Sequence, residues 1–223
     1  MTPKQTGIVT EYFQIKDNCR KGLIKHLDIV FSVIPCLDNP EILDIGCGTG
    51  VPTLWIADNY SGTIIAIDTD KNSLDWLQKK INDKSLQDKV TISNISFFDY
   101  RLLPGYFDII LAEGFLNIVG FERGFLKIIE ILKRNRYLII HDEFKDHEKK
   151  CDFIKDNKCK LIYTLYLDEN VWWNDYYKQL ELEIRSIDNE HTRKLFKSDL
   201  KEIESYKLDS SPFRSIYYIV EKL

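Results

Sequence analysis

The stretch EILDIGCGTG at residues 41–50 limits what this chain can fold into more than any other segment. A short apolar run reaches Asp44, and Gly46, Gly48 and Gly50 follow at alternate positions. Glycines at the end of a strand permit positive φ and let the backbone approach a ligand closely. In an open α/β sheet that ligand sits beyond the carboxyl ends of the strands, where the strand order reverses. An acidic residue about 20 positions on, at the end of the next strand, is the usual grip on ribose hydroxyls. Asp68 closes TIIAID and fills that slot. A dinucleotide site prefers G-x-G-x-x-G, with a pyrophosphate on the helix N-terminus. Here the spacing is G-x-G-x-G, and a carboxylate at Asp44 would repel a pyrophosphate. It favours a ligand carrying an ammonium or sulfonium group. The expected ligand is a cationic nucleoside, and S-adenosylmethionine fits.

The rest of the chain supports the same architecture. Leu23, Leu27, Val30 and Ile34 share a helical face that Pro35 ends. A strand is expected at 41–44, a helix over VPTLWIADN with Pro52 in its first turn, and a buried strand at TIIAIDTD. Asp70 is placed to cap a helix with Leu74, Leu77 and Ile81 on its stripe. Strands follow at Val90–Ile92, FDIILA (107–112) and Tyr137–His141, with a helix at 125–132 between the last two. Strands alternating with helices imply right-handed βαβ units. Late in the chain, KLIYTLYL reads as a strand, two helices follow (the first capped by Asp168), and SPFRSIYYIVEK ends as a strand. The expectation is a Rossmann-like, doubly wound α/β fold: a seven-stranded sheet, mostly parallel with the last strand antiparallel, helices on both faces. No Pro- or Gly-rich linker interrupts it, so one domain is expected over 1–223. It divides into an N-terminal lid or helix (1–35), a cofactor-binding core (36–145) and C-terminal substrate-side helices and strands (146–223).

Composition excludes several classes. The chain has 223 residues, 44% hydrophobic and 30% charged, which fits a packed domain rather than a disordered or fibrous one. No apolar run approaches the ~20 residues of a membrane span. The start lacks a basic head followed by an apolar stretch, and the five cysteines are irregularly spaced. A reduced, cytoplasmic protein is expected. A net charge of −4 with no long basic block speaks against a nucleic-acid partner. The expected partner is a small-molecule substrate, with the chain a monomer or homodimer.

LDIGCGTG followed by AIDTD resembles motif I and the acidic loop of the class I S-adenosylmethionine-dependent methyltransferases. AEGFLNIVGFERGFLKIIEILKRNRYLIIHDEF and WWNDYYKQLE resemble a bacterial subgroup of small, largely uncharacterised enzymes of that superfamily. The resemblance implies S-adenosylmethionine as cofactor and S-adenosylhomocysteine as product. It implies that Asp44 and Gly46-Cys47-Gly48-Thr49-Gly50 cradle the methionine part. Asp68 would hold both ribose hydroxyls, with Thr69 beside the adenine. NISFFDY would supply the adenine wall: Ser96 stands where the family usually has an Asp, Phe97 offers a backbone N–H and an apolar face, and Asp99 is the other candidate. Ala112 and Glu113 would line the pocket. Tyr12 and Phe13 lie in a segment that in this superfamily folds over the cofactor.

Methyl transfer is an in-line displacement in which the protein supplies alignment, exclusion of water and sometimes a base. Glu113 is a candidate for binding a cationic substrate or accepting a proton, or is a structural carboxylate. His141 ends a strand as a candidate base, or is a buried, hydrogen-bonded imidazole. Asn117 and Glu122 shape the loop or cap a helix. Trp172, Trp173, Tyr176 and Tyr177 are expected to pair at i, i+4, one pair on the sheet and the other lining a substrate pocket, or all in ordinary packing. The place after the fourth strand reads AEGF rather than [DN]-P-P-[YF], and the one Pro-Cys lies before the glycine turn, which argues against nucleic-acid methylation. A protein or RNA acceptor is the first rival reading. A non-catalytic S-adenosylmethionine-binding module is the second. Cys36, Cys47, Cys151 and Cys159 form no C-x-x-C, so no metal site is expected.

Overall fold

A computed structural model describes residues 3–100 and 103–223. Its centre is a seven-stranded sheet in the order β3-β2-β1-β4-β5-β7-β6. The strands are β1 (Glu41–Ile45), β2 (Thr63–Asp68), β3 (Val90–Asn94), β4 (Phe107–Glu113), β5 (Leu132–Glu143), β6 (Cys159–Leu167) and β7 (Ser215–Lys222). β1 to β5 pair in parallel, and β7 lies antiparallel between β5 and β6. The strand order reverses between β1 and β4, so the glycine turn leaves β1 where such sheets bind ligands.

Three packed clusters hold the molecule. On one face of the sheet, α2 (Ile24–Val33), α3 (Val51–Asn59) and α4 (Lys71–Asp83) bury Leu27, Val30, Phe31, Ile56, Leu74 and Leu77. On the other, α5 (Leu116–Val119), α6 (Phe121–Ile131) and α7 (His147–Asp156) bury Leu116, Phe125, Ile128 and Ile154. A third cluster lies off the sheet. It joins α1 (Pro3–Arg20) to α8 (Glu169–Trp172), a π-helical turn (Trp173–Tyr177), α9 (Lys178–Ser186), α10 (Glu190–Leu195) and α11 (Lys197–Leu208), around Tyr177, Leu180, Ile184, Phe196 and Ile203.

Local chemistry accounts for the element ends. Asp70 caps α4 by accepting from Asn72 N–H, and Asp168 caps α8 from Asn170 N–H. Gly50 stands at the N-cap of α3 with φ +77°, and a Cβ there would collide with the Leu77 side chain. The turn and α4 therefore pack in direct contact. Two expectations need correction. The helix expected over 125–132 starts earlier, at Phe121, and stops at Ile131, because Leu132 opens β5 opposite Phe107. Helix α7 went unread: Ile154 is its only buried residue among charged neighbours, too little periodicity to signal a helix.

Candidate active site

The glycine turn is fixed by its own backbone and by two carboxylates. Gly46 and Cys47 N–H groups both donate to Ile67 O, at 2.9 and 3.1 Å, which ties the turn to β2. Gly48 N–H donates to Asp68 Oδ2, and Asp70 N–H donates to Asp68 Oδ1, each at 2.8 Å. A carboxylate offers about four acceptor positions, so Asp68 retains two. Gly48 has φ +52°, and no atom lies within 4 Å of where its Cβ would stand. Asp44 is buried and accepts from Thr53 Oγ1 at 2.6 Å. Burial pushes its carboxyl up to about 7, against the lowering effect of the Thr53 bond. A buried carboxylate in that state is short of positive charge.

Helix α1 closes the site through Asp17. This buried carboxylate accepts from Thr49 Oγ1 in the glycine turn, from Trp76 Nε1 at 2.8 Å and from the Lys80 ammonium. Phe13, one turn earlier, stacks on Trp76 at 6.2 Å. Lys16, one residue before, pairs with Asp199 of α11 at 2.7 Å. One face of α1 thus bridges the turn, α4 and the C-terminal helices.

The far wall collects the ends of β4, β5 and β7. Glu113 accepts from the Tyr217 hydroxyl and meets the Arg20 guanidinium at 3.2 Å. His141 is buried, stacked on Tyr217 at 4.1 Å, and its Nε2 lies 2.9 Å from Ser215 Oγ. Burial holds its pKa down to about 4, although Glu113 acts to raise it. Trp172 Nε1 donates to the same Ser215 Oγ at 3.3 Å. The π-helical turn that follows carries i→i+5 spacing. Trp172 therefore stacks on Tyr177 (5.8 Å, 28°) as well as meeting Tyr176 edge-on at 6.3 Å.

These walls enclose a cavity of about 930 Å³. It brings together Asp44, Gly46, Cys47, Gly48, Glu113, His141, Trp172, Tyr176 and Tyr177 as expected from the sequence, with Tyr12 and Phe13 from α1. Other expected positions lie outside its lining. Gly50 packs on Leu77, Asp68 is half-buried and bonded to Gly48, and Thr69 is exposed. Ser96 Oγ accepts from Phe98 N–H at 3.3 Å in its own loop. Phe97 is buried under the edge of Phe115, and Ala112 is fully buried in β4. Trp173 corrects the i, i+4 expectation: it stacks on Tyr206 of α11 at 5.8 Å instead of Tyr177. The extra residue in the π turn rotates it off the cavity side. Sequence reasoning missed Asp17, Arg20, Tyr217 and Glu202. The position of Asp17 one helical turn after Phe13 was a weak signal; the others carry none that is local.

A cationic nucleoside suits this donor set. The open space over Gly48 admits a ligand against bare backbone, and Asp44 lacks a cationic partner among the described residues. Asp68 has acceptor capacity left. All five cysteines are free thiols. Among the described residues no cluster of His, Cys, Asp and Glu could hold a metal ion, and no helix is long and apolar enough to cross a membrane.

The chain is similar to several known proteins. Residues 42–135 match a family described as methyltransferase domain. An uncharacterized protein of a Synechococcus strain is 39% identical over 84 residues, 37% of this chain and 20% of the relative. The chain spans 52% of a Haemophilus influenzae relative and 40% of a Rickettsia prowazekii one. The structure of the [4+2]-cyclase SpnF superposes with TM-score 0.74 at 15% identity, covering 89% of this chain and 80% of that one. A Geobacter sulfurreducens S-adenosylmethionine-dependent methyltransferase in complex with S-adenosylhomocysteine superposes with TM-score 0.71 at 12% identity, covering 89% and 91%. Residues 42–135 thus match a methyltransferase domain, and the fold is one shared with a solved S-adenosylmethionine-dependent methyltransferase.

Proposed function

We propose that this chain transfers a methyl group from S-adenosylmethionine to a small-molecule acceptor bound in the same cavity. One observation carries the reading. The space beneath α1 runs without interruption from Asp44 and the glycine turn to the aromatic wall. A cavity of about 930 Å³ is at the upper end of the range of small-ligand sites, with room for two ligands side by side.

Bound S-adenosylmethionine supplies a methyl group on a sulfonium, ready for displacement. The chain's own residues orient and enclose. Asp44 and the turn from Gly46 to Gly50 hold the amino-acid end. Asp68, braced by Gly48 and Asp70 N–H groups, accepts from the ribose hydroxyls. Thr69 and Ser96 border the adenine side, and Phe97 and Ala112, buried in the core, support it from behind. Glu113 fixes the acceptor from the end of β4, oriented by Arg20 and Tyr217. His141, held down to about 4, is neutral at pH 7 and offers a hydrogen bond to the acceptor rather than a charge. Trp172, Tyr176 and Tyr177 exclude water, which keeps the displacement free of hydrolysis. Trp173 supports that wall from behind. The five free thiols support a reducing, cytoplasmic setting.

Fold alone does not secure methyl transfer, since one structural neighbour is described as a cyclase. Calorimetric titration with S-adenosylmethionine, with NAD as control, tests the cofactor. Asp68→Ala should weaken binding roughly tenfold or more, as expected for a lost charged hydrogen-bond partner. Absence of S-adenosylmethionine binding under reducing conditions sinks the reading. Tight binding without S-adenosylhomocysteine release on a wide acceptor panel favours a non-catalytic sensor. Release with a protein or RNA acceptor alone favours that rival.

A further inference from the structure

The charges of the cavity wall do not balance. Three of its carboxylates face cations: Asp17 meets Lys80, Glu113 meets Arg20, and Asp142 lies 2.8 Å from the Lys150 ammonium. Asp70 is spent on capping α4, accepting from Asn72 N–H and Ser73 Oγ. Asp44, Glu143 and Glu202 are left with no basic side chain in ion-pair range among the described residues. The wall's cations are mostly committed: Lys16 to Asp199 and Arg20 to Glu113. Arg214, exposed at the rim, is the remaining one. His141, whose pKa burial lowers to about 4, adds no charge at neutral pH.

Asp44 belongs to the cofactor end. Glu202 lies at the other end, beside the aromatic wall, where its Oε1 accepts from Tyr177 Oη at 2.8 Å. Tyr177 in turn stacks on Trp172 and meets Phe213 edge-on at 5.9 Å. Glu202 is an exposed acid at the cavity mouth beside aromatic rings, and together with the surplus of acids along the wall it selects cations over neutral or anionic ligands.

We infer that the methyl acceptor is an amine, recruited as its ammonium form against Trp172 and Phe213 with Glu202, held by Tyr177, as counter-ion. This deepens the proposed methyl transfer and rests on it for its chemistry. The ammonium first gives a proton to Glu202, which exchanges it with solvent at the cavity rim. The freed nitrogen lone pair then forms the N–C bond while the methyl–sulfur bond breaks. That bond's electron pair stays on sulfur, and the product amine carries the positive charge.

The test separates recognition from turnover. Choline, its neutral isostere 3,3-dimethylbutan-1-ol and the anion 3,3-dimethylbutanoate are titrated into the protein with and without S-adenosylmethionine. Choline is expected to bind at least tenfold tighter than the isostere. The preference should shrink several-fold in Glu202→Gln and in Trp172→Phe, the latter chosen to keep the fold. Equal or tighter binding of the isostere or the anion overturns the inference, as does a preference unchanged in both variants. Choline selectivity is read without turnover, so it stands or falls separately from cofactor binding. With S-adenosylmethionine present, primary and secondary amines should release S-adenosylhomocysteine together with a methylated amine detected by mass spectrometry. Release confined to phenols, thiols or carboxylic acids would also overturn it.

Discussion

The two ends of the cavity are built in opposite ways. The glycine-turn end comes from one continuous stretch, residues 44–70, in which backbone N–H groups and two acids set the shape. The aromatic end draws Arg20 from α1, Glu113 from β4, His141 from β5, Trp172 from α8 and Tyr217 from β7. The first end is specified by local conformation, the second by long-range packing. Substitutions should therefore fail differently: steric and backbone effects at one end, lost partners and altered acceptor binding at the other.

The largest effect is expected at the turn. Gly50→Val places a branched Cβ against Leu77 at a positive φ, combining overpacking with backbone strain. Stability should fall by about 4 kcal/mol, seen as a melting temperature lowered by roughly 10 °C or as loss of folded protein. A wild-type melt for this variant would break the comparison. Next is the bridge between the two ends. Asp17→Ala strands the half-buried Lys80 ammonium, at a cost of about 3 kcal/mol. Lys80→Met in the same background should recover most of it, measured by urea unfolding; no recovery would mean that the Thr49 and Trp76 bonds carry the effect.

The pH dependence sets one end against the other. His141 falls from an ordinary 6.5 to about 4 in the fold, so its contribution is present above pH 6.5 and lost as pH falls toward 4. Asp44 rises from 3.8 to about 7, so its contribution is present below pH 3.8 and lost as pH rises toward 7. At about 1.4 kcal/mol per pKa unit, the two slopes oppose each other across pH 4–6.5. Wild-type stability should be nearly flat there, and Asp44→Asn should expose a rise with pH of roughly 3 kcal/mol. A flat profile in the variant would show that His141 titrates normally.

Smaller effects sharpen the contrast between the paired tryptophans. Trp173→Ala removes the stack on Tyr206 and should cost about 2 kcal/mol in a melt while leaving the acceptor KM alone. Trp172→Phe should raise that KM with little change in stability. At the lower limit, Asp75→Ala removes an exposed pair with Lys71 on α4 and should change stability by under about 0.5 kcal/mol. A larger loss there would mean that α4 depends on surface charge more than on its contact with the glycine turn.

How legible was each end beforehand? Asp44, the alternate glycines and Asp68 were readable because spacing along one chain segment dictates their geometry. Glu113 and His141 were readable as strand-end residues. Their neighbours were not, since Arg20 is 93 residues from Glu113 and Tyr217 is 104 away. Trp173 misled for a subtler reason: i, i+4 spacing assumes an α-helix, and a π turn changes which rings meet. Asp17 sat unread in a helix whose apolar face is weak, and its burial came only with the packing of α1 on α4.

The succession of strands and of most helices, the glycine turn and the acidic slots followed from the sequence alone, because periodicity, capping and backbone freedom act over a few residues. The tertiary structure decided which acids found cations, that His141 is neutral, and which aromatic rings face the cavity. Those properties depend on desolvation and on partners brought together across the whole chain, and no local pattern encodes them.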